Sequence, residues 1–268
     1  MAKGTKRASP GAEDEKSALQ SVELSDEDAK KLQGIQRELA RAELVIERQA
    51  QALLRPVYEK RREIVKAIPS FWRVALLNNS VISYHAQHGA DLTALNYLED
   101  MWVVKSADEH RCFTIEFYFK ENQFFHDTVL KKEFKFVSPP AAKDEKPDEY
   151  GITESSLDFS WERDVELSVT KINWKDADKA LTKLYPREAG DSEDDIPAEP
   201  GSFFNFFECK ADPSDVGLAI ANEIFPEAIE YFLGNISSES DSEDSEDDDD
   251  DDAEEIDLEK PRNKKRKV

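Results

Sequence analysis

The side chains most able to do chemistry are few, and their spacing gives them little to work with. His85 and His88 stand three residues apart, close enough to share a metal, yet no cysteine or carboxylate set nearby completes a tetrahedral site. A surface pair is the expectation. His110 and His126 flank the predicted strands and have no triad partners in reach of the pattern. Cys112 and Cys209 lie in no metal, redox or nucleophile motif, and two thiols in 268 residues read as idle groups of a reducing compartment. No glycine-rich phosphate loop occurs. The many carboxylates form a surface density, not an identifiable acid–base pair. The sequence therefore points away from an enzyme, and it calls for no cofactor and no metal.

Those carboxylates matter collectively. The chain carries 59 acids against 36 bases, a formal charge of -23. Such a field repels phosphate backbones and draws basic partners, so nucleic acid is not the expected primary ligand. Residues 239–259 hold fifteen acids and no base, and a block of like charge cannot collapse. It also sets Ser238, Ser240, Ser242 and Ser245 beside acids, as acid-directed kinases prefer. Without that block and the six bases beyond it, the first 238 residues still hold 44 acids and 30 bases. The closing Lys264, Lys265, Arg266 and Lys267 resemble a single-part nuclear import signal, which implies an import receptor as a partner. No stretch approaches the roughly 18 apolar residues of a membrane span, and the first residues lack the apolar run of a signal peptide. A soluble, intracellular protein with no membrane partner is expected.

The elements that would position this charge begin at Ser25. Residues 1–24 are small, polar and mixed in charge, and are expected to be disordered. Ser25-Asp26-Glu27-Asp28 offers an N-cap, acids in a first turn and a carboxylate at the capping-box position. Leu32, Ile35, Leu39, Ala42, Ile46 and Leu53 then recur at heptad spacing, which suits pairing with a second helix. The pattern predicts one helix over 25–68, kinked near Pro56 and on the order of 65 Å long. A rod of that length predicts a homodimer; the alternative is that it packs along its own domain.

Residues 69–235 read as α+β. A short helix is expected over Asp91–Leu98, then a strand near Trp102–Val104. Phe113, Ile115, Phe117 and Phe119 alternate with polar residues, and a second strand follows over Val129–Val137 with Phe134 and Phe136 inward. Strand character returns over Val165–Trp174. Mobile loops are expected near 138–157 and 187–200. Four phenylalanines in Ser202–Phe207 should be core, and a helix over Pro213–Phe232 should turn Val216, Ile220, Ile224 and Ile229 onto an antiparallel sheet. Residues 236–268 form the acidic tail with its basic end.

Several of these motifs, in this order, resemble the nucleosome assembly protein family, and most its SET/template-activating-factor branch. They are Ile68-Pro69-Ser70-Phe71-Trp72 after a long helix, Phe113–Phe119 with Glu121-Asn122, Ser202-Phe203-Phe204-Asn205-Phe206-Phe207, and Ile224-Phe225-Pro226 with Glu230-Tyr231-Phe232-Leu233. The likeness spans about residues 25–235, although the stretch around 143–166 is longer than in SET-type proteins. It implies a long dimerisation helix with an earmuff-shaped domain, and a histone chaperone that binds H3–H4 or H2A–H2B and aids nucleosome assembly and disassembly in the nucleus, with shuttling to the cytoplasm left open. It also implies histone contacts on the underside of the domain, at Glu208, Asp212, Asp215 and Glu223. The competing reading is a nuclear coiled-coil scaffold or a regulator of chromatin enzymes.

Overall fold

In the computed structural model the long helix begins where the capping chemistry sets it. The Ser25 hydroxyl accepts the Asp28 N–H at 3.1 Å and donates to the Asp28 carboxylate at 2.7 Å, so the acid closes the cap through the hydroxyl. Helix α1 runs Asp26–Val65, 40 residues or about 60 Å, and continues through Pro56. It stops three residues short of the expected end. There the Ala67 and Ile68 N–H groups reach back only three residues, to Ile64 and Val65, in a tightened last turn. Ser70, in the left-handed region at φ 59°, then reverses the chain.

The structure describes residues 25–107, 109–138, 145–188, 199–212 and 214–236. All of them belong to one unit of the chain, residues 1–236; residues 237–268 are a second unit. The acidic stretch, Lys264, Lys265, Arg266 and Lys267, and most of the loop expected over 187–200 lie outside the described residues.

Three short helices follow α1: α2 (Phe71–Leu77), α3 (Ser80–His85) and α4 (Gly89–Leu95). Helix α4 starts two residues before the expected Asp91 and ends three before Leu98, which already belongs to the sheet. That sheet is four-stranded and antiparallel, in the order β1 (Leu98–Lys105), β2 (Phe113–Phe119), β3 (Val129–Phe136) and β4 (Val165–Leu167). Register pairs Val103 with Ile115 and Phe117 with Leu130. Along β2 every second residue is buried, as the alternation predicts. On β3 the same parity sends Leu130, Lys132 and Phe134 inward and leaves Phe136 only half-buried. The second half of the stretch read as a strand over Val165–Trp174 joins no ladder: Ile172 is buried in the core, the Thr170 N–H donates to the Phe207 carbonyl, and Trp174 forms an isolated bridge with Phe125.

Helices α5 (Glu154–Leu157) and α6 (Trp161–Asp164) lead into β4, and α7 (Leu181–Leu184) precedes the phenylalanine block. Phe203, Phe204, Phe206 and Phe207 are buried, with Phe207 edge-on to Phe117 at 5.2 Å. Most of the block's second half is helix α8 (Asn205–Glu208). The closing segment differs from the single helix expected. It comprises α9 (Val216–Ala219), a wider π turn (Ile220–Ile224) and, after Pro226, α10 (Ala228–Leu233). The extra residue per turn and the missing proline N–H shift the helical phase. Val216, Ile220 and Ile224 are buried as expected, but beyond Pro226 it is Ala228 and Tyr231 that turn inward while Ile229 is 48% exposed.

Candidate functional site

The candidate site consists of two surfaces: the unpartnered face of α1 and the acids carried by the closing segment. Leu32, Ile35, Leu39, Ile46 and Leu53 are between 53% and 73% exposed, in a chain whose core leucines are almost wholly covered, and Ala42 is exposed too. Val57 and Ile64 extend the stripe past Pro56, seven residues apart like Ile46 and Leu53, and are also exposed. The sequence pattern stopped at Leu53 because the proline suggested an interruption.

The helix does lie along its own domain, but on another side. At 3.6 residues per turn, Arg37, Arg41, Leu44 and Arg48 form a stripe roughly opposite the apolar one, and Gln51, Arg55, Tyr58 and Arg62 continue it. This side is latched by residues 145–158, all but the last of them within the mobile loop expected near 138–157. Arg37 pairs with Glu154 at 2.7 Å and Asp158 at 3.3 Å, and Arg41 with Asp148 at 2.6 Å. Arg48 donates to the carbonyls of Tyr150 and Gly151 at 3.2 and 2.8 Å. Leu44 and Ile152 are buried in the same region, and Thr153 caps α5 in a capping box with Ser156. The loop composition hid this because its partners are arginines a hundred residues away. His110 adds a further tie: it is buried beside Glu47 at 3.0 Å, which holds the Glu47 carboxyl below its usual range.

The four acids expected to face a partner divide into two pairs. Both Glu208 oxygens are engaged internally, one accepting from the Ile172 N–H at 3.1 Å and the Trp174 indole at 3.2 Å, the other from the Thr182 hydroxyl at 2.7 Å. Asp212 caps α9, accepting the Val216 and Gly217 N–H groups, and burial raises its pKa. Both carboxylates are half-buried and engaged within the fold. Asp215 and Glu223 are exposed, and Glu227 and Glu230, missed by sequence reasoning, are exposed on the same segment.

Two buried groups fix the segment's surroundings. Asp91, fully buried, accepts the Ser202 hydroxyl at 2.5 Å and the Phe203 N–H at 3.0 Å, so it pins the start of the phenylalanine block while Glu208 pins its end. Burial raises its pKa, against the pull of those two bonds. Lys132, on the inner face of β3, donates to the carbonyls of Ser168 and Cys209 at 2.9 and 2.5 Å, and burial lowers its pKa to about 8. It ties the chain just before Asp212 to the sheet.

The histidine pair is not the surface pair expected. His85 is 1% exposed, and burial with the nearby Arg187 charge lowers its pKa to about 4. His88 is half-buried and stacks on Tyr185 with centroids 4.0 Å apart. Among the described residues no group of three or more His, Cys, Asp or Glu side chains could hold a metal.

Comparison with known proteins matches residues 65–235 to the family model described as Nucleosome assembly protein (NAP). The chain is 29% identical over 233 residues to Protein SET of Drosophila melanogaster, covering 85% of this chain and 78% of that protein. It is 27% identical over 224 residues to Protein SETSIP of Homo sapiens, covering 82% and 68%. Among solved structures it resembles Nucleosome Assembly Protein 1 from Plasmodium knowlesi, with TM-score 0.53 and 23% identity over 85% of this chain and all of that one. It also resembles the Vps75 histone chaperone, with TM-score 0.53 and 17% identity over 79% and 98%.

Proposed function

Because this chain belongs to the nucleosome assembly protein family, we propose that it is a histone chaperone, a homodimer that holds core histones on an acidic surface and aids nucleosome assembly and disassembly. The α+β architecture, a long helix followed by an antiparallel sheet flanked by helices, is the family's own. The role is non-enzymatic.

The observation that carries the dimer is the separation of the two sides of α1. Its apolar stripe faces away from the domain and has no cover among the described residues. Two copies paired antiparallel about residue 48 would set Leu32 against the partner's Ile64 and Leu39 against the partner's Val57. A symmetric interface of this kind uses one self-complementary surface twice.

For histones, H3–H4 or H2A–H2B, the supporting feature is the closing segment, where Asp215, Glu223, Glu227 and Glu230 stand exposed with no ion pair among the described residues. The fifteen acids of 239–259 add a second polyanion. Histone surfaces rich in Lys and Arg complement both, and DNA is a competitor, not a ligand. Lys264, Lys265, Arg266 and Lys267 would deliver the protein to the nucleus through an import receptor.

The test is a titration of both histone pairs with the full chain, with residues 25–236 and with a peptide of residues 237–268, at two salt concentrations. Saturable binding by residues 25–236 that weakens with salt is expected. If the tail peptide alone retains all the affinity, the mechanism reduces to polyanion capture, and the nuclear scaffold reading gains.

A further inference from the structure

Between the domain side of α1 and the edge strand β1 lies a groove of about 320 Å³, with Arg55, Tyr58, Trp102, Lys105, Ser106 and Phe225 among its lining. Its charge runs against the rest of the chain. In a protein of net charge -23 the described lining residues include two cations and no carboxylate. We propose that this groove docks an acidic segment of a partner protein, with one bulky apolar side chain against Tyr58, Trp102 and Phe225 and its carboxylates at Arg55 and Lys105.

The aromatic wall is built edge to face: Tyr58 meets Phe225 at 5.2 Å and 67°, and Trp102 meets Phe225 at 5.3 Å and 88°. Cations of the chain itself already lie over these rings. The Arg61 guanidinium stands 4.7 Å from the centroids of both Tyr58 and Phe225, and the Arg62 guanidinium 4.7 Å from that of Trp102. A cationic ligand would add a fourth unpaired or weakly paired positive charge to Arg55 and Lys105 at the mouth and Arg61 behind the wall, Arg62 being matched to Asp100 at 2.5 Å. That separates this groove from any surface that receives basic histone segments.

Of the two cations at the mouth, Arg55 is exposed and Lys105 half-buried. Arg55 is held only by a surface pair with Glu59 at 3.2 Å on its own helix, a weak contact that a ligand carboxylate can replace. The Lys105 ammonium lies 3.2 Å from the Asn222 amide oxygen and 5.0 Å from the centre of the Phe113 ring, with the Glu47 carboxylate near enough to favour its charge. At this volume the groove sits at the low end for a ligand site, matching one or two side chains of a peptide. It also stays open in the proposed dimer, because Gln51, Arg55 and Tyr58 lie roughly opposite the apolar stripe of α1. The inference does not rest on histone binding.

The experiment titrates full-length protein with an acidic nonapeptide carrying a single central phenylalanine, following the Trp102 indole N–H resonance, assigned through Trp102→Phe. Two control peptides replace the phenylalanine by serine or every acid by lysine. We expect saturable shifts with the first peptide only. Arg55→Glu with Lys105→Glu should weaken it at least about tenfold, as the loss of two charge-assisted contacts implies. Ala52→Trp, on the exposed helix surface at the groove, should block it while leaving the circular dichroism unchanged. Equal shifts with the lysine peptide, retention of binding by both variants, or no shift with the acidic peptide would each overturn the proposal.

Discussion

Replacing Leu39 and Ile46 together by glutamate should convert a dimer into a monomer without unfolding the domain. Leu39 and Ile46 are 58% and 65% exposed in the single chain. Covering the remaining surface of one such side chain contributes about 1–2 kcal/mol. A two-fold interface counts each position twice, so these four side chains supply about 4–8 kcal/mol. At about 1.4 kcal/mol per tenfold that is three to six orders of magnitude in dissociation constant. The introduced carboxylates add a desolvation cost in the same direction. The other side of α1 is untouched, so Arg37, Arg41 and Arg48 keep their partners and the helix its hold on the domain. Light scattering at micromolar concentration should read twice the 30.6 kDa chain mass for the natural protein and once that mass for the variant, with little change in circular dichroism. A dimeric variant would refute the seam, and a monomeric natural protein would refute the dimer itself.

Four further outcomes follow from the buried groups and the closing segment. Because the His85 pKa falls from 6.5 to about 4 on folding, its neutral form stabilises the fold fully above pH 6.5. That contribution, on the order of 3 kcal/mol, is lost as pH drops through this window, since the unfolded chain takes up the proton first. His85→Gln should flatten the dependence of the denaturant midpoint on pH between 6.5 and 4, and an unchanged slope would count against the burial argument. A Cβ at Gly217 would overlap the Phe134 ring, so Gly217→Ala should lower stability by about 1–3 kcal/mol, read as a drop in melting temperature; an unaltered melt would show the ring free to move. Glu208→Gln turns an amide donor toward groups that donate, costing about 1–3 kcal/mol while leaving histone affinity unchanged. Asp215→Lys with Glu223→Lys should do the reverse, and a loss of affinity in the Glu208 variant alone would invert that assignment.

Where pattern and chemistry were local, the sequence was readable. The Ser25 cap, the β2 alternation and the phenylalanine block need only neighbours two to four residues away, and each appears as expected. The largest failure comes from partners distant in sequence. Composition made residues 138–157 a loop, but Arg37, Arg41 and Arg48 organise residues 148–154 of it. His85 looked exposed because no periodicity marks a histidine as buried, and Lys132 went unnoticed because a lysine among β-strand polar positions is ordinarily outside. In the closing segment the apolar spacing held until the π turn and Pro226 changed the phase, which left Ile229 on the surface.

The acids make the same point about function, since a count of carboxylates overstates the field a partner meets. Asp91, Glu208 and Asp212 accept hydrogen bonds inside the fold, and Glu116, Glu109 and Asp164 are matched to Lys131, Arg111 and Arg163. What remains unneutralised is what a basic surface can reach, and Asp215, Glu223, Glu227 and Glu230 fall within sixteen residues of one segment. The buried acids have another part in that arrangement. Asp91 and Glu208 fix the two ends of the phenylalanine block, and Asp212 fixes the start of the segment that carries the exposed four. An exposed carboxylate on a rigid support loses little conformational freedom on binding. On that argument, replacing Asp215, Glu223, Glu227 and Glu230 by their amides should cost residues 25–236 most of their histone affinity and most of its salt dependence.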